Sequence, residues 1–146
     1  MSLTDRRYLK RGLLFWPALA VLAVVNGVAR GVALAPLAGP EAALPLSGLT
    51  LMSLFIAASG LFARHAGATG SRAAPWLLGV LWVALAVAFE AAMAVLVMGA
   101  PLSALGQVFD PAAVKQGNLL LPVLFVTACL PALWDRLLHR GPLKLP

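Results

Sequence analysis

The sequence predicts an all-α protein: a four-transmembrane-helix bundle with up-down-up-down topology and cytoplasmic N and C termini. Of its 146 residues, 62% are hydrophobic and only 11% are charged, and the mean hydropathy is +0.94. A soluble domain of this length needs more polar residues to cover its surface. Four apolar stretches are each long enough to cross a bilayer. The basic residues are concentrated at the ends of these stretches.

The four spans and their short connections use nearly the whole chain, so a single integral membrane domain is expected over residues 1–146. Pro17 and Pro75 fall in the first turns of the first and third spans, where proline is tolerated. Asp110 followed by Pro111 is typical of a helix cap and a first-turn proline. The spans are expected at about residues 13–32, 44–63, 75–98 and 118–137.

The distribution of Lys and Arg orients the bundle, because cytoplasmic flanks of membrane proteins are enriched in positive charge. Of the eleven Lys and Arg residues, only Arg30 and Lys115 lie on or near the second side of the predicted membrane. The first side holds the other nine: Arg6, Arg7, Lys10, Arg11, Arg64, Arg72, Arg136, Arg140 and Lys144. Three tryptophans, at positions 16, 76 and 134, also mark that boundary. The first side is therefore predicted to be cytoplasmic.

The residue that most needs an explanation is Glu90, since a carboxylate inside a span is costly and should face the protein interior. At ~1.5 Å per residue, Glu90 lies roughly 22 Å from the cytoplasmic start of its span. The same rise places Arg30 about 25 Å and Asn26 about 20 Å along the first span. Asn26 and Arg30 are four residues apart and share one helix face. We therefore expect an ion pair between Glu90 and Arg30, braced by Asn26.

The second and fourth spans add polar side chains at a similar depth. Ser47, Thr50 and Ser53 are spaced by three on the second span, and Asn118 begins the fourth. The outer half of the bundle is thus polar, whereas the inner half is nearly all aliphatic. The candidate intramembrane polar cluster is Asn26, Arg30, Ser47, Thr50, Glu90 and Asn118. Such a cluster either fixes the register of the helices or forms a ligand or ion site, and both interpretations stay open.

Small residues on two spans suggest where helices approach each other. Gly27 and Gly31 form a G-x-x-x-G motif in the first span, and small-residue spacing of this kind allows close contact between helix backbones. The third span repeats the spacing with Ala84, Ala88 and Ala92. A contact between these two faces would bring the charged residues of the polar cluster together.

No catalytic residue, cofactor or metal site is predicted. No histidine lies within a span, and the single cysteine, Cys129, has no metal-ligand spacing around it. Motifs such as G-x-S-x-G, H-E-x-x-H and a phosphate-binding glycine loop do not occur in the sequence. Nucleic acid is not an expected partner, because the basic residues form no single patch. The expected partners are the lipid bilayer and either other membrane-protein subunits or a second copy of the chain.

Three short motifs resemble an uncharacterised family of small bacterial four-helix integral membrane proteins. They are NGVAR at residues 26–30, FE at residues 89–90 and GN at residues 117–118. In the family an acidic residue often follows the arginine, where this sequence has Gly31. A histidine often precedes the serine of the second helix, and residues 44–46 contain none. The resemblance implies a four-span protein of a bacterial inner membrane and no known activity.

Three functions are considered. The lack of a catalytic set favours a structural or accessory subunit of a membrane complex. The alternative is an oligomeric small-solute or ion transporter or channel component, because ionisable residues such as Glu90 and Arg30 often mark pathways within membranes. An intramembrane enzyme that acts on a lipid or quinone, with Glu90 as general base, ranks last, because no nucleophile or metal set supports it.

Overall fold

Helices form most of the chain in the computed structural model, which describes residues 1–97, 99–101, 106 and 110–140. The four long helices are α1 (Leu3–Ala38), α2 (Pro40–Ala66), α3 (Ala73–Val97) and α4 (Leu120–Arg140). A short 3-10 helix, Pro111–Gln116, precedes α4. All four long helices are long and apolar enough to cross a membrane, which confirms the predicted four-helix fold. Met98, the predicted end of the third span, and Lys144 lie outside the described residues.

Helix α1 begins well before the predicted first span because its start is capped. The Ser2 hydroxyl accepts a hydrogen bond from the Asp5 amide, and the Asp5 carboxylate accepts one from the Ser2 amide, each at 3.1 Å. This reciprocal capping box satisfies two N–H groups that a helix start leaves free. The basic segment that follows is therefore helical. At its other end, α1 is separated from α2 by Gly39 alone, whose φ of +83° suits glycine.

Three of the helices contain a wider, π-helical stretch: Arg30–Leu34 in α1, Met93–Val97 in α3 and Arg136–Arg140 in α4. Such stretches are rare and frequently occur at functional sites. The first begins at Arg30, and the second begins three residues after Glu90. Both charged residues of the predicted cluster therefore lie next to a locally widened helix.

The helices are arranged as a ring in which α1 contacts α2, α2 contacts α4, α4 contacts α3 and α3 contacts α1. Consecutive helices run in opposite directions, as the up-down-up-down prediction requires. Helices α2 and α3 thus occupy opposite corners, and residues 67–72, which join them, cross one end of the bundle. We call this end, where α1 begins and α4 finishes, the terminal end. The opposite end, with Gly39 and Pro111–Gln116, is the distal end.

The core of the bundle is closely packed around Trp82, which is 0% exposed. Its indole N–H donates to the Gly12 carbonyl at 2.9 Å, and the Trp16 indole N–H donates to the Trp82 carbonyl at 3.2 Å. Helices α3 and α4 approach most closely at Gly79, where an added Cβ would lie 1.9 Å from the Ala128 carbonyl oxygen. The buried core comprises Tyr8, Leu9, Leu19, Phe55, Phe62, Leu78, Trp82, Val123 and Leu130.

Candidate functional site

A cavity of about 560 Å³ lies at the distal end of the bundle. Residues of all four long helices line it, together with Asn118 and Leu119 just before α4. Small-molecule sites in proteins commonly have volumes of roughly 300–1,000 Å³. Five of the six residues of the predicted polar cluster line this cavity: Asn26, Arg30, Ser47, Glu90 and Asn118. The structure therefore gathers most of the predicted cluster around one space, which we call the distal cavity.

Helices α1 and α2 are joined at the distal cavity by a buried hydrogen-bond pair. The Asn26 side-chain amide donates to the Ser47 carbonyl at 3.1 Å and to the Ser47 hydroxyl at 2.9 Å. Both side chains are buried, so these bonds replace the water that the polar groups lose. Because the two bonds use both N–H groups of the amide, the acceptor oxygen of Asn26 is the group left for other partners.

The predicted ion pair between Glu90 and Arg30 is not formed. Among the described residues, contacts within salt-bridge distance involve Asp135 alone, with His139 and Arg140. Glu90 and Arg30 instead line the same cavity, and neither side chain makes a hydrogen bond to another described residue. The expected bracing by Asn26 is also wrong, since the amide of Asn26 bonds Ser47. The two side chains thus share the cavity wall without a salt bridge between them.

Asn118 caps the start of α4 with one side-chain group and leaves the other beside the distal cavity. Its side-chain oxygen accepts a hydrogen bond from the Leu120 amide at 3.0 Å, which satisfies a free N–H at the start of α4. Its side-chain N–H₂ group is left available beside the cavity. Just before it, the Asp110 carboxylate accepts from the Ala112 amide at 2.8 Å, which confirms that Asp110 is a helix cap.

Thr50 does not line the distal cavity, unlike the other five predicted residues. It is exposed, and its hydroxyl donates to the Leu46 carbonyl of its own helix at 2.9 Å. Ser53 is exposed and bonds the Leu49 carbonyl in the same way. A three-residue step falls about 60° short of a full helical turn, so a stripe with this spacing rotates away from the face of Ser47. Serine and threonine commonly bond their own helix in this way.

The G-x-x-x-G motif of α1 makes no close helix contact within the described part of the chain. A Cβ atom added at Gly27 or Gly31 would meet nothing within 4 Å. Helices α1 and α3 meet nearer the terminal end, where the Leu78 side chain covers Gly12. The space beside Gly27 belongs to the distal cavity. The alanines of the corresponding α3 stripe are exposed: Ala84, Ala88 and Ala92.

The polar lining ends at the middle of the bundle. A smaller, apolar space of about 40 Å³ adjoins the distal cavity and shares Glu90 and Phe89 with it. Trp16 and Trp82 line this smaller space on the side of the terminal end. Beyond it, Leu78 and Trp82, both fully buried, fill the centre of the bundle. The distal cavity is therefore a pocket that is closed toward the terminal end by aromatic and aliphatic side chains.

A second polar group of residues, at the terminal end, holds the segment 67–72 as it crosses the bundle. The Asp5 carboxylate accepts hydrogen bonds from the Gly70 amide at 3.0 Å and the Ser71 amide at 3.1 Å. Asp5 therefore caps its own helix and also anchors the crossing segment. The Ser-x-x-Asp spacing at residues 2–5 is a capping signal in the sequence, but the sequence interpretation did not use it.

Asp135 anchors the same segment from α4. It accepts hydrogen bonds from the amide and hydroxyl of Thr69 at 3.3 and 3.1 Å, and from the Arg140 guanidinium at 2.6 Å. Asp135 is 4% exposed, and these hydrogen bonds offset the cost of burying its carboxylate. No sequence pattern pointed to this contact; the only hint was an acidic residue in a basic flank.

The fold and site define an all-helical protein with four helices that can cross a membrane and a polar pocket at one end. No family model, curated protein or solved structure matches the chain. The resemblance to an uncharacterised bacterial family stays a prediction. The function must therefore be argued from the site itself.

Proposed function

We propose that this chain is a multi-pass protein of a bacterial inner membrane, with both termini in the cytoplasm, that binds a small solute in the distal cavity. It would act without catalysis, as a component of an oligomeric small-solute transporter or channel. The observation that carries this proposal is the distal cavity of about 560 Å³. Residues Arg30 and Glu90, from two different helices, place a basic and an acidic side chain on the wall of this space.

The shape of the cavity favours a binding site over a pore within one chain. A pore needs a polar path from one side of the membrane to the other. Here the aromatic and aliphatic side chains around Trp82 and Leu78 fill the bundle beyond the middle. Passage of a solute would therefore require either a change in helix packing or a path formed between several chains.

The proposed orientation is supported by the distribution of basic residues. Eight of the nine basic residues that predict a cytoplasmic side belong to the described part of the chain, at the terminal end of the bundle. The positive-inside rule supports a cytoplasmic location for this end. The distal cavity then lies in the outer half of the membrane, where it would meet solutes or lipids of the outer leaflet.

Two glycines of α1 provide a matched test of the proposal. Gly27 lines the cavity and Gly31 does not, yet a side chain at either position has open space around it. We expect Gly27→Leu to fill part of the cavity and Gly31→Leu to leave it unchanged. Native mass spectrometry of the protein, extracted together with its lipids, measures the molecules that each form retains.

The wild type and the Gly31→Leu variant are expected to retain the same small molecule, and the Gly27→Leu variant to retain much less of it. Equal retention by both variants would refute a site in the distal cavity. The absence of any retained molecule from all three proteins would also count against the proposal. Circular dichroism spectra of all three proteins check that each remains helical.

A second candidate function is a structural or accessory subunit of a larger membrane complex. The observation that favours it is the presence of uncovered small residues on both α1 and α3, namely Gly31 and the exposed alanines at 84, 88 and 92. Small residues allow a partner helix to approach closely. Mild purification from the native host should then recover a stoichiometric partner, whose loss in Gly31→Leu would support this function. A chain that purifies alone and as a monomer would exclude it.

A further inference from the structure

We infer that the distal cavity recognises a zwitterion: a ligand that carries one ammonium group and one anionic group, joined to an apolar portion. This inference rests on the proposed function, because it names the class of solute that the cavity binds. The ammonium group would pair with the Glu90 carboxylate, and the anionic group with the Arg30 guanidinium.

The first argument is the charge of the cavity wall. Arg30 and Glu90 both line the cavity, and neither forms a salt bridge within the described part of the chain. A charged group inside a membrane protein is costly unless it has a partner. A ligand with a single charge would pair with one of these residues and leave the other unpaired. A zwitterion provides a partner for both.

The second argument is the set of hydrogen-bonding groups beside the two charges. The amide of Asn26 is committed to Ser47 and leaves an acceptor oxygen. The oxygen of Asn118 is committed to the Leu120 amide and leaves an N–H₂ donor group. The neutral polar groups of the cavity therefore offer one further acceptor for an ammonium group and one further donor for an anion.

The third argument is the apolar part of the wall. Apart from the polar residues and two glycines, the cavity is lined by Ala23, Val24, Val28, Leu44, Leu51, Phe89, Met93, Leu119, Leu120 and Val123. Burying a hydrocarbon portion against these side chains would favour binding by about 25 cal/mol per Å² of apolar surface. A zwitterion with a hydrocarbon portion fits both kinds of lining. An aminophospholipid and a free apolar amino acid share this chemistry.

Two ligand series test the inference and separate the two sources. The purified chain, in nanodiscs made of phosphatidylglycerol, is titrated with a short-chain phosphatidylethanolamine and with leucine. Each zwitterion is compared with its N-acetylated form, which lacks the ammonium group, and leucine is also compared with its methyl ester, which lacks the carboxylate. Dissociation constants come from native mass spectrometry, which counts bound molecules directly.

We expect at least one zwitterion to bind about tenfold or more tightly than each of its single-charge relatives, the range for loss of one charge-assisted hydrogen bond. Glu90→Gln should remove the preference over the N-acetylated relative. Arg30→Gln should remove the preference over the methyl ester. The control is Glu41→Gln, which neutralises an exposed carboxylate in the first turn of α2 and should leave both preferences unchanged.

The outcomes separate the inference from the proposed function. If the single-charge relatives bind as tightly as the zwitterions, or if the molecule retained from native membranes lacks an ammonium group, the inference is overturned while a site in the cavity remains. If neither series binds and no native molecule is retained, both are overturned. Tighter binding of phosphatidylethanolamine than of leucine identifies a lipid ligand, and the reverse identifies a free solute.

Discussion

The contact between α3 and α4 at Gly79 makes the sharpest prediction for stability. A Cβ atom at this position would lie 1.9 Å from the carbonyl oxygen of Ala128, whereas ordinary contact begins at 3.4 Å. The clashing atom belongs to the backbone of α4, so no side-chain rotation can relieve the overlap. In a Gly79→Ala variant the two helices would have to separate locally by about 1.5 Å.

The expected cost follows from the packing around this contact. Overpacking a close-packed interior costs about 1–3 kcal/mol, and a backbone clash belongs at the upper end of this range. Alanine also gains about 1 kcal/mol over glycine in helix propensity. Gly31→Ala is the matched control, since it gains a similar propensity and meets no atom within 4 Å. We therefore expect Gly79→Ala to be about 3 kcal/mol less stable than Gly31→Ala.

The measurement is the free energy of unfolding in mixed micelles, obtained by titrating a mild detergent with dodecyl sulfate and following helical circular dichroism. Equal unfolding free energies for Gly79→Ala and Gly31→Ala would refute the close approach of α3 and α4. The described packing of the core would then be wrong, because Leu78 and Trp82 reach its centre from the same stretch of α3.

Two further substitutions test the terminal end and the core. Asp135→Asn should lower the unfolding free energy by about 1–3 kcal/mol, because it weakens the charge-assisted bonds to Thr69 and Arg140. The control is Asp110→Asn, at an exposed helix cap where asparagine serves equally well. It should change the unfolding free energy by less than about 0.5 kcal/mol. Trp82→Phe should cost about 2–4 kcal/mol, because it removes the hydrogen bond to the Gly12 carbonyl and leaves a cavity in the core. The same micelle titration measures each change, and wild-type stability of either Asp135→Asn or Trp82→Phe would contradict the role given to that side chain.

The sequence predicted the fold and most of the polar residues that line the distal cavity, because both depend on strong local signals. Four long apolar stretches leave few alternatives to four membrane-length helices. The depth of Asn26, Arg30 and Glu90 followed from the fixed rise of a helix. Their common location in the structure shows that depth along the helices is well specified by sequence position.

The sequence did not predict which groups pair. Pairing depends on the rotation of each helix about its own axis and on the order of the helices around the bundle. Thr50 was assigned to the cluster because it lies three residues after Ser47. In the structure its side chain is exposed and does not line the cavity. Glu90 and Arg30 have suitable depths and line the same cavity, yet they form no salt bridge. The contacts of Asp5 and Asp135 with the crossing segment arise because α2 and α3 lie at opposite corners, which a linear sequence does not reveal.

The most direct test of the central claim, an outward-facing cavity in the distal half, uses two serines of α2. Ser47 and Ser59 are both buried, at 2% and 1% exposure, but Ser47 lines the distal cavity and Ser59 contacts the Trp134 indole at 3.2 Å. Each is replaced by cysteine in a Cys129→Ala background, which removes the single native cysteine. Intact cells are then treated with a membrane-impermeant thiol reagent.

We expect the Ser47→Cys protein to be labelled from outside the cell, because the side chain at this position lines the cavity, and the Ser59→Cys protein to remain unlabelled. Adding Gly27→Leu to Ser47→Cys should slow the labelling, since the leucine occupies part of the same space. Labelling of Ser47→Cys only from the cytoplasmic side, or equal labelling of the two cysteines, would contradict the proposed orientation and the cavity as the functional site.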